Sequence, residues 1–170
     1  MIEVSIDCSQ VRHALEMLRV SCQDASPAMR AIAGDMERAV EKNFASQGRP
    51  AWLGLAPGTI AGRIKGGTWP GKILQRTGQL ASSIESRSDS TSATVGTNLA
   101  YAAIHQFGGR TRAHTITARK GKALAFGGIF RRQVRHPGSN IPARPFLALG
   151  VDDERQIEED VLLFLQGRLG

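Results

Sequence analysis

Two stretches without a single acidic residue are the feature that most restricts how this chain folds. Residues 49–76 carry five basic side chains and residues 110–150 carry nine, while neither stretch contains Asp or Glu. Glycine and proline recur in both, and neither shows the long apolar periodicity of a core helix. The two stretches therefore predict loops or extended arms, and most of the hydrophobic core is expected from the segments around them.

Charge is segregated along the whole chain. The formal net charge is +7, yet residues 151–170 contain six acidic against two basic side chains. Basic segments of this kind suit a surface that meets DNA or an acidic partner. They equally suit head-to-tail assembly, in which a basic segment of one subunit meets an acidic helix of the next. Composition leaves both interpretations open.

Length and hydropathy bound the class of protein. A chain of 170 residues predicts a single domain, residues 1–170. No apolar run approaches the roughly 18 residues of a membrane span, and the N-terminus does not resemble a signal peptide. We therefore expect a protein made in the cytoplasm, with no membrane partner. Cys8 and Cys22 lack the spacing of a metal site, so buried thiols are expected rather than a disulfide or zinc framework.

Hydrophobic periodicity predicts one strand and two helices before residue 49. Alternating Ile2, Val4 and Ile6 indicate a half-buried strand. A first helix is expected after a cap at Asp7 or Ser9. Its apolar stripe consists of Val11, Leu15, Leu18 and Cys22. A second helix is expected from Ser26-Pro27, where a capping hydroxyl precedes proline, to Gly48-Arg49-Pro50. Its apolar face consists of Met29, Ile32, Met36, Val40 and Phe44.

The middle of the chain predicts short elements. Residues 49–75 form a Gly/Pro/Trp-rich loop with a short helix expected at 59–64. Thr77 is expected to cap a short helix that continues through Leu80 to Ile84. Two strands are expected on either side of a turn at residues 88–90. Residues 100–107 are expected to form one or two helical turns, ended by Gly108-Gly109.

The last third predicts an arm, a strand and a helix. Residues 110–140 form a basic arm, which is either a long hairpin or a segment that orders on binding. A closing strand is expected at residues 146–149, followed by a helix capped by Asp152 or Asp153. The inward side of that helix consists of Ile157, Val161, Phe164, Leu165 and Leu169. The predicted fold class is α+β, in which an N-terminal strand, two helices and a C-terminal helix accompany a small antiparallel sheet.

No pattern of catalytic residues emerges. Residues 66–73 approach a phosphate-binding loop, but Ile73 replaces the required Ser or Thr and Pro70 lacks an N–H. The four histidines show no helical or zinc-finger spacing. His105, inside an apolar segment, is interpreted as a hydrogen-bonded structural residue. We therefore predict a protein that is not an enzyme and that has no cofactor or metal.

The basic arm is the strongest candidate for a contact surface. Its side chains could neutralise phosphates without reading sequence, or contact a neighbouring protein. Few aromatic residues accompany them for base stacking, so specific recognition of DNA is not expected. The candidate contact residues are Arg110, Arg112, Arg119, Lys120, Lys122, Arg131, Arg132 and Arg135.

Three short motifs stand in a fixed order in the second half: Leu-Gln-Arg-Thr-Gly-Gln-Leu (74–80), Tyr-Ala-Ala-Ile-His-Gln-Phe-Gly (101–108) and Pro-Ala-Arg-Pro-Phe-Leu (142–147). Together they resemble the phage virion morphogenesis (tail completion) family of Mu-type bacteriophages. The motif residues singled out are Thr77, Gly78, Leu80, Tyr101, Ile104, His105, Gln106, Phe107, Gly108, Gly109, Pro142, Arg144, Pro145 and Phe146. Those expected in the core are Tyr101, Ile104, Phe107, Phe146 and Leu147.

The resemblance implies a virion protein of the head–tail neck, assembled in the host bacterial cytoplasm. It implies a homo-oligomeric ring, of six subunits by analogy, that completes the tail or joins it to the filled head. The implied partners are the head–tail connector and the tail terminator or tail tube proteins, with non-specific contact to DNA in the channel. The alternative is a basic nucleic-acid-associated accessory protein that binds DNA without sequence specificity.

Overall fold

A computed structural model of the chain describes residues 9–118, 121, 123–126 and 128–167. The N-terminal strand predicted at Ile2–Ile6 lies outside these residues. The chain divides into two compact units. The first contains the residues up to Leu99 together with those from Phe146 onward, and the second contains Ala100–Pro145.

Helices dominate the first unit. Their bounds are α1 (Ser9–Gln23), α2 (Ser26–Ser46), α3 (Pro57–Lys65) and α5 (Val151–Gln166), and a short helix α4 (Ala102–Phe107) belongs to the second unit. A single 3₁₀ turn covers Ala81–Ser83. No helix among the described residues is long and apolar enough to cross a membrane. The helices predicted at both ends and the turns at 59–64 and 100–107 are all present.

The strands are short and antiparallel. In chain order they are β1 (Glu85–Ser88), β2 (Ala93–Gly96), β3 (Gly109–Arg110), β4 (His114–Thr117), β5 (Leu124–Phe126), β6 (Ile129–Arg131), β7 (Gln133–His136) and β8 (Asn140–Ile141). Within the described residues they pair in four two-stranded ladders rather than in one sheet: β1–β2, β3–β8, β4–β7 and β5–β6. The α+β class is confirmed.

The turn between β1 and β2 follows from one aspartate. The Asp89 carboxylate accepts hydrogen bonds from the backbone N–H groups of Thr91 and Ser92 and from both hydroxyls, at 2.7–3.1 Å. These bonds, that from the Thr91 N–H first, lower the pKa of Asp89 to about 2. An Asx turn of this kind fixes the hairpin without glycine.

Helix α2 forms the centre of the first unit, packing against α5, β1 and β2. Val40 and Phe44 of the predicted apolar face are buried, and the ring of Phe44 lies 5.9 Å from Trp52 and 5.5 Å from Phe146. Trp52, although it belongs to the Gly/Pro-rich stretch, is therefore a core residue.

A polar cluster of Asn43, Arg49 and Asp153 lies within this core. The side-chain amide of Asn43, which is 1% exposed, donates to the carbonyls of Phe146 and Ala148 at 2.9 and 2.8 Å. Its Oδ1 accepts from Arg49 Nε at 2.9 Å. Arg49 Nη2 reaches Asp153 Oδ2 at 2.5 Å, and the same oxygen accepts from the N–H of Gly150. The cluster thus joins α2, the segment after the second unit and the start of α5.

The polar cluster explains two differences between the predicted and the observed structure. The strand predicted at residues 146–149 does not form, because the carbonyls of Phe146 and Ala148 bond to a side chain instead of a ladder. The cap of α5 is Gly150 rather than Asp152 or Asp153. Asp153 lies at the third helical position and accepts from Gly150, as in one half of a capping box.

Other predicted details also differ. Helix α2 begins at Ser26 rather than being capped by it, and Asp24 Oδ1 accepts from the Ser26 N–H. The helix expected from Thr77 through Ile84 shortens to the 3₁₀ turn, because Ile84 is already extended before β1. On α5, Ile157, Val161, Phe164 and Leu165 are half-buried as predicted, and Leu169 lies outside the described residues.

Helix α1 departs most from its predicted packing. Val11 and Leu15 of its apolar stripe are each 61% exposed, and the side chains of Leu18 and Cys22 lie outside the description. A period of 3.6 residues shows which face of a helix is apolar, but not that a neighbour from the same chain covers it.

The polar cluster predicts a large effect of Asp153→Asn. Removing one charge from an ion pair whose carboxylate is 2% exposed should lower the free energy of unfolding by roughly 2–3 kcal/mol. Chemical denaturation at pH 7 measures it. The matched control is Asp152→Asn, one residue earlier and 86% exposed, for which a change within about 0.5 kcal/mol is expected. Equal effects of the two changes would contradict this account.

The difference in free energy of unfolding between the wild type and Asp153→Asn should depend on pH. Burial opposes ionisation of Asp153, but hydrogen bonds from Arg49, the Gly150 N–H and Lys42 outweigh it and hold its pKa well below the usual range. An unfolded Asp titrates near pH 3.9, so the stabilisation is complete above that pH and is lost as pH falls below it. The wild-type advantage over Asp153→Asn should therefore be constant from about pH 7 to 5 and shrink below about pH 4. An advantage that does not change down to pH 3 would exclude a role for the carboxylate charge.

Candidate assembly interface

The second unit is built around one long hairpin arm, Gly109–Ile141. Its three ladders are nested, with β3 pairing with β8, β4 with β7 and β5 with β6. Of the two interpretations of residues 110–140, the structure has the hairpin. Gly109 pairs with Ile141 and His114 with His136 in one continuous register.

The register changes near the tip. Six residues separate Thr117 from Leu124 on the first side of the arm, whereas Arg132 alone separates β6 from β7 on the second side. The register of the β5–β6 ladder is therefore shifted by five residues relative to that of the β4–β7 ladder. The outer ladder closes with Phe126 opposite Ile129 across two residues. Gly128, with φ +78°, supplies the positive φ that tight hairpin turns require.

Guanidinium groups cover the arm. The described basic residues of the predicted set are all exposed, and no described carboxylate lies within ion-pair distance of them. These residues are Arg110, Arg112, Arg131, Arg132 and Arg135. Arg119, Lys120 and Lys122 lie outside the described residues. A positive arm of this kind can contact phosphates or the carboxylates of another protein.

Two of the three sequence motifs meet at the base of the arm. The backbone N–H of Arg144, a buried residue, donates to the carbonyl of His105 at 2.7 Å. Gly108, with φ +71°, approaches so closely that a Cβ there would lie 2.8 Å from the N atom of Ala143. The motif around Tyr101–Gly109 and the Pro142–Pro145 run are therefore one local structure. The third motif, with Thr77, Gly78 and a buried Leu80, belongs to the first unit, as does Phe146.

Comparison with known proteins identifies the family of this chain. Residues 6–166 match the phage virion morphogenesis family. The chain belongs to that family. The resemblance in the three motifs is thus confirmed, and the chain has a structural or assembly role in bacteriophage.

Two relatives extend the match over nearly the whole chain. The Mu-like prophage FluMu G protein 2 of Haemophilus influenzae is 40% identical over 167 residues, covering 98% of this chain and 97% of the relative. The putative capsid assembly protein G of Escherichia phage Mu is 27% identical over 161 residues, covering 92% and 88%. No solved structure gives a significant match.

His105, in the middle of a family motif, has an unusual setting. Its ring packs edge-on against Tyr101 at 6.0 Å, and its Nδ1 is buried with no hydrogen-bond partner among the described residues. The hydrogen bond predicted for this histidine is therefore absent at Nδ1 within the described part of the chain. Burial, and then the positive charge of Arg144, lower the pKa of His105. The imidazole is therefore neutral at neutral pH and stays uncharged beside the guanidinium.

Two motif residues expected in the core are exposed. Tyr101 is 40% exposed and Phe107 is 78% exposed, whereas Ile104 and Leu147 are half-buried and Phe146 is fully buried. Helix α4 has six residues, so it can turn only one side inward, and Phe107 is its last residue. Their apolar character marked them as core, but it is equally typical of a surface that a partner covers.

The arm also contains a pair of stacked histidines that the sequence spacing did not indicate. His114 and His136 stack across β4 and β7 with ring centroids 5.1 Å apart. Nδ1 of His136 accepts from the Gly138 N–H at 3.1 Å, which leaves its proton on Nε2. Extending the β5–β6 register inward would place other residues opposite each other, so the sequence did not predict this pair. No group of three or more His, Cys, Asp or Glu residues in the described part of the chain is arranged to hold a metal.

The base of the arm yields a prediction for glycine replacement. Gly108→Ala should combine a strained positive φ with a backbone clash, and should lower the free energy of unfolding by about 2–4 kcal/mol. Gly128→Ala is the matched control, since its φ of +78° is similar but nothing lies within 4 Å of the added Cβ. It should cost about 1–2 kcal/mol. Thermal unfolding of both variants measures the difference, and equal losses would refute the close-approach argument.

Proposed function

We propose that this protein acts at the head–tail neck of a phage virion. It assembles there as a homo-oligomeric ring that completes the tail or joins it to the DNA-filled head. Six subunits are the number taken from analogy with the family. The partners in this proposal are the head–tail connector and the tail terminator or tail tube proteins.

The observation that carries the proposal is the exposed, acid-free hairpin arm in a member of a virion morphogenesis family. A two-stranded ladder with both faces in water is marginal on its own. Every described residue of β4 and β6 is exposed, so the arm contributes surface rather than core to its own subunit. Such a surface is typical of a segment that becomes covered in an assembly.

Charge supports a heterologous contact between subunits. The arm is basic, whereas exposed carboxylates outside it lie on α2, at Glu41, and in the first turn of α5, at Asp152 and Glu154. Two different surfaces of opposite sign attract when copies meet head to tail, and this kind of contact closes into rings. A surface that met its own copy across a two-fold axis would instead place like charges together.

Reversing charge on the arm tests the proposal. Arg131→Glu combined with Arg132→Glu should abolish or weaken the oligomer at least tenfold, because attraction becomes repulsion, while the subunit stays folded. Native mass spectrometry and light scattering measure the assembly, and circular dichroism the fold. The control is Arg87→Glu with Arg155→Glu, an equal charge change at two exposed positions outside the arm. Normal assembly of the arm variant would reject the arm-to-neighbour contact.

The place of action is tested in infected cells. A nonsense codon early in the gene of the parent phage should leave filled heads and tails unjoined in electron micrographs. Since the Mu relative is called a putative capsid assembly protein, the contrasting outcome is defined: aberrant or absent heads would place the action at the capsid instead. Normal virions would reject the neck proposal.

A second candidate function is sequence-independent binding of DNA. The exposed guanidiniums of the arm favour it, since each neutralised phosphate releases counterions. Binding to duplex DNA should then weaken steeply between about 50 and 200 mM salt. Retention on DNA that collapses with salt, in a protein that forms no ring, would favour this function over the neck proposal.

A further inference from the structure

An apolar groove opens on one side of helix α2 in the first unit. Its volume is about 280 Å³. Val40, Phe44 and Ile84 form an apolar part of its lining, and Glu37 and Glu41, one helical turn apart, lie beside them. An apolar floor flanked by carboxylates favours an apolar side chain that is followed by positive charge.

The size of the groove fits an aromatic anchor. An engineered protein cavity of about 150 Å³ holds benzene. The groove is larger, so it has room for a phenyl ring and for part of the backbone of the residue that carries it. Val40 and Phe44 are buried beneath the groove, so the apolar surface that an incoming ring can contact comes mainly from Ala45, Ala81 and Ile84. Lys72 lines another part of the groove, so an incoming cation is expected on the side of α2.

The tip of the hairpin arm has the complementary chemistry. Phe130 is 68% exposed, and its cross-strand partner on β5 is the small residue Ala125. The ring therefore projects from the ladder without a large neighbour opposite it. Arg131 and Arg132, both exposed, follow it directly in the chain.

We propose that the arm tip of one copy inserts Phe130 into the α2 groove of a neighbouring copy. Arg132, two residues after Phe130, then lies toward Glu41 and Glu37, and Arg131, which projects from the other face of the strand, adds positive charge beside it. The tip and the groove are different surfaces, so the contact is heterologous and each copy is both donor and acceptor. The inference rests on the proposed ring and identifies which surfaces meet in it.

The two halves of the contact have separate roles. Glu37 already accepts a hydrogen bond from Ser86 Oγ at 2.5 Å, so it helps to fix β1 against α2. Glu41 is exposed and is the better partner for an incoming guanidinium. Burial of the phenyl ring supplies affinity, whereas the charges select the orientation of the arm.

Mixed cross-linking tests the contact directly. In a background with Cys8→Ser and Cys22→Ser, one copy carries Ala45→Cys, an exposed groove position, and the other carries Ile129→Cys at the tip. A short bis-maleimide should join the two copies when they are mixed. Either variant alone should give no more cross-linked dimer than the cysteine-free chain.

Charge exchange tests the same contact without cysteine. Glu41→Arg alone, and Arg131→Glu with Arg132→Glu alone, should each weaken assembly at least tenfold, and combining all three should restore most of it. Phe130→Ala should weaken assembly similarly, while Leu163→Ala on α5, an apolar residue with nearly the same exposure, should not. Glu158→Arg on α5 is the control for reversal of an exposed acid.

The outcomes separate this inference from the ring itself. An oligomer that forms without mixed cross-links and is unaffected by Phe130→Ala would overturn the tip-to-groove contact and leave the ring standing. A wild-type protein that stays monomeric at the highest concentration reached would overturn both. A cross-link from the groove cysteine to a different phage protein in infected cells would replace the second copy with that partner and would also overturn the contact.

Discussion

The amide side chain of Asn43 holds the first unit together. Its two donor bonds satisfy the carbonyls of Phe146 and Ala148, which lie about a hundred residues away in the chain. Its oxygen orients Arg49, which in turn reaches Asp153 at the start of α5. A buried polar group that lacks a partner costs free energy, and each group of this cluster has one. The return of the chain to helix α2, and the position of α5, therefore depend on one fully bonded cluster.

Local patterns predicted the helices, because their start and stop signals are contained in neighbouring residues. The Asp89 turn and the end of α4 at Gly108 were predictable for the same reason, since their signals are also contained in neighbouring residues. Two of the wrong predictions depended on distant partners. The sequence at 146–149 is typical of a strand, yet its carbonyls bond to Asn43. On α1, the apolar stripe with Val11 and Leu15 is exposed, and its pattern does not show which residues would cover it. Neither result could be derived from residues adjacent in sequence.

The candidate site divides along the same line. Its charge was predictable, since an acid-free segment remains basic in any conformation. Composition left two interpretations of residues 110–140, a long hairpin or a segment that orders on binding, and did not choose between them. Its geometry was not predictable, because the β5–β6 register at the tip differs by five residues from the β4–β7 register, in which His114 lies opposite His136. Three motifs were visible in sequence, but only the structure places Arg144 against His105.

The exposure of the arm constrains what the protein does beyond its family membership. A chain gains little stability from a two-stranded ladder whose side chains face water, and large exposed aromatics such as Phe107 and Phe130 weaken solubility. In the first unit, by contrast, the polar cluster fixes the α2–α5 packing within the single subunit. This division suits a subunit in which one unit is folded before assembly and the arm is stabilised by what it contacts. Affinity would then come from covering apolar surface, and the guanidiniums would determine which surface is covered.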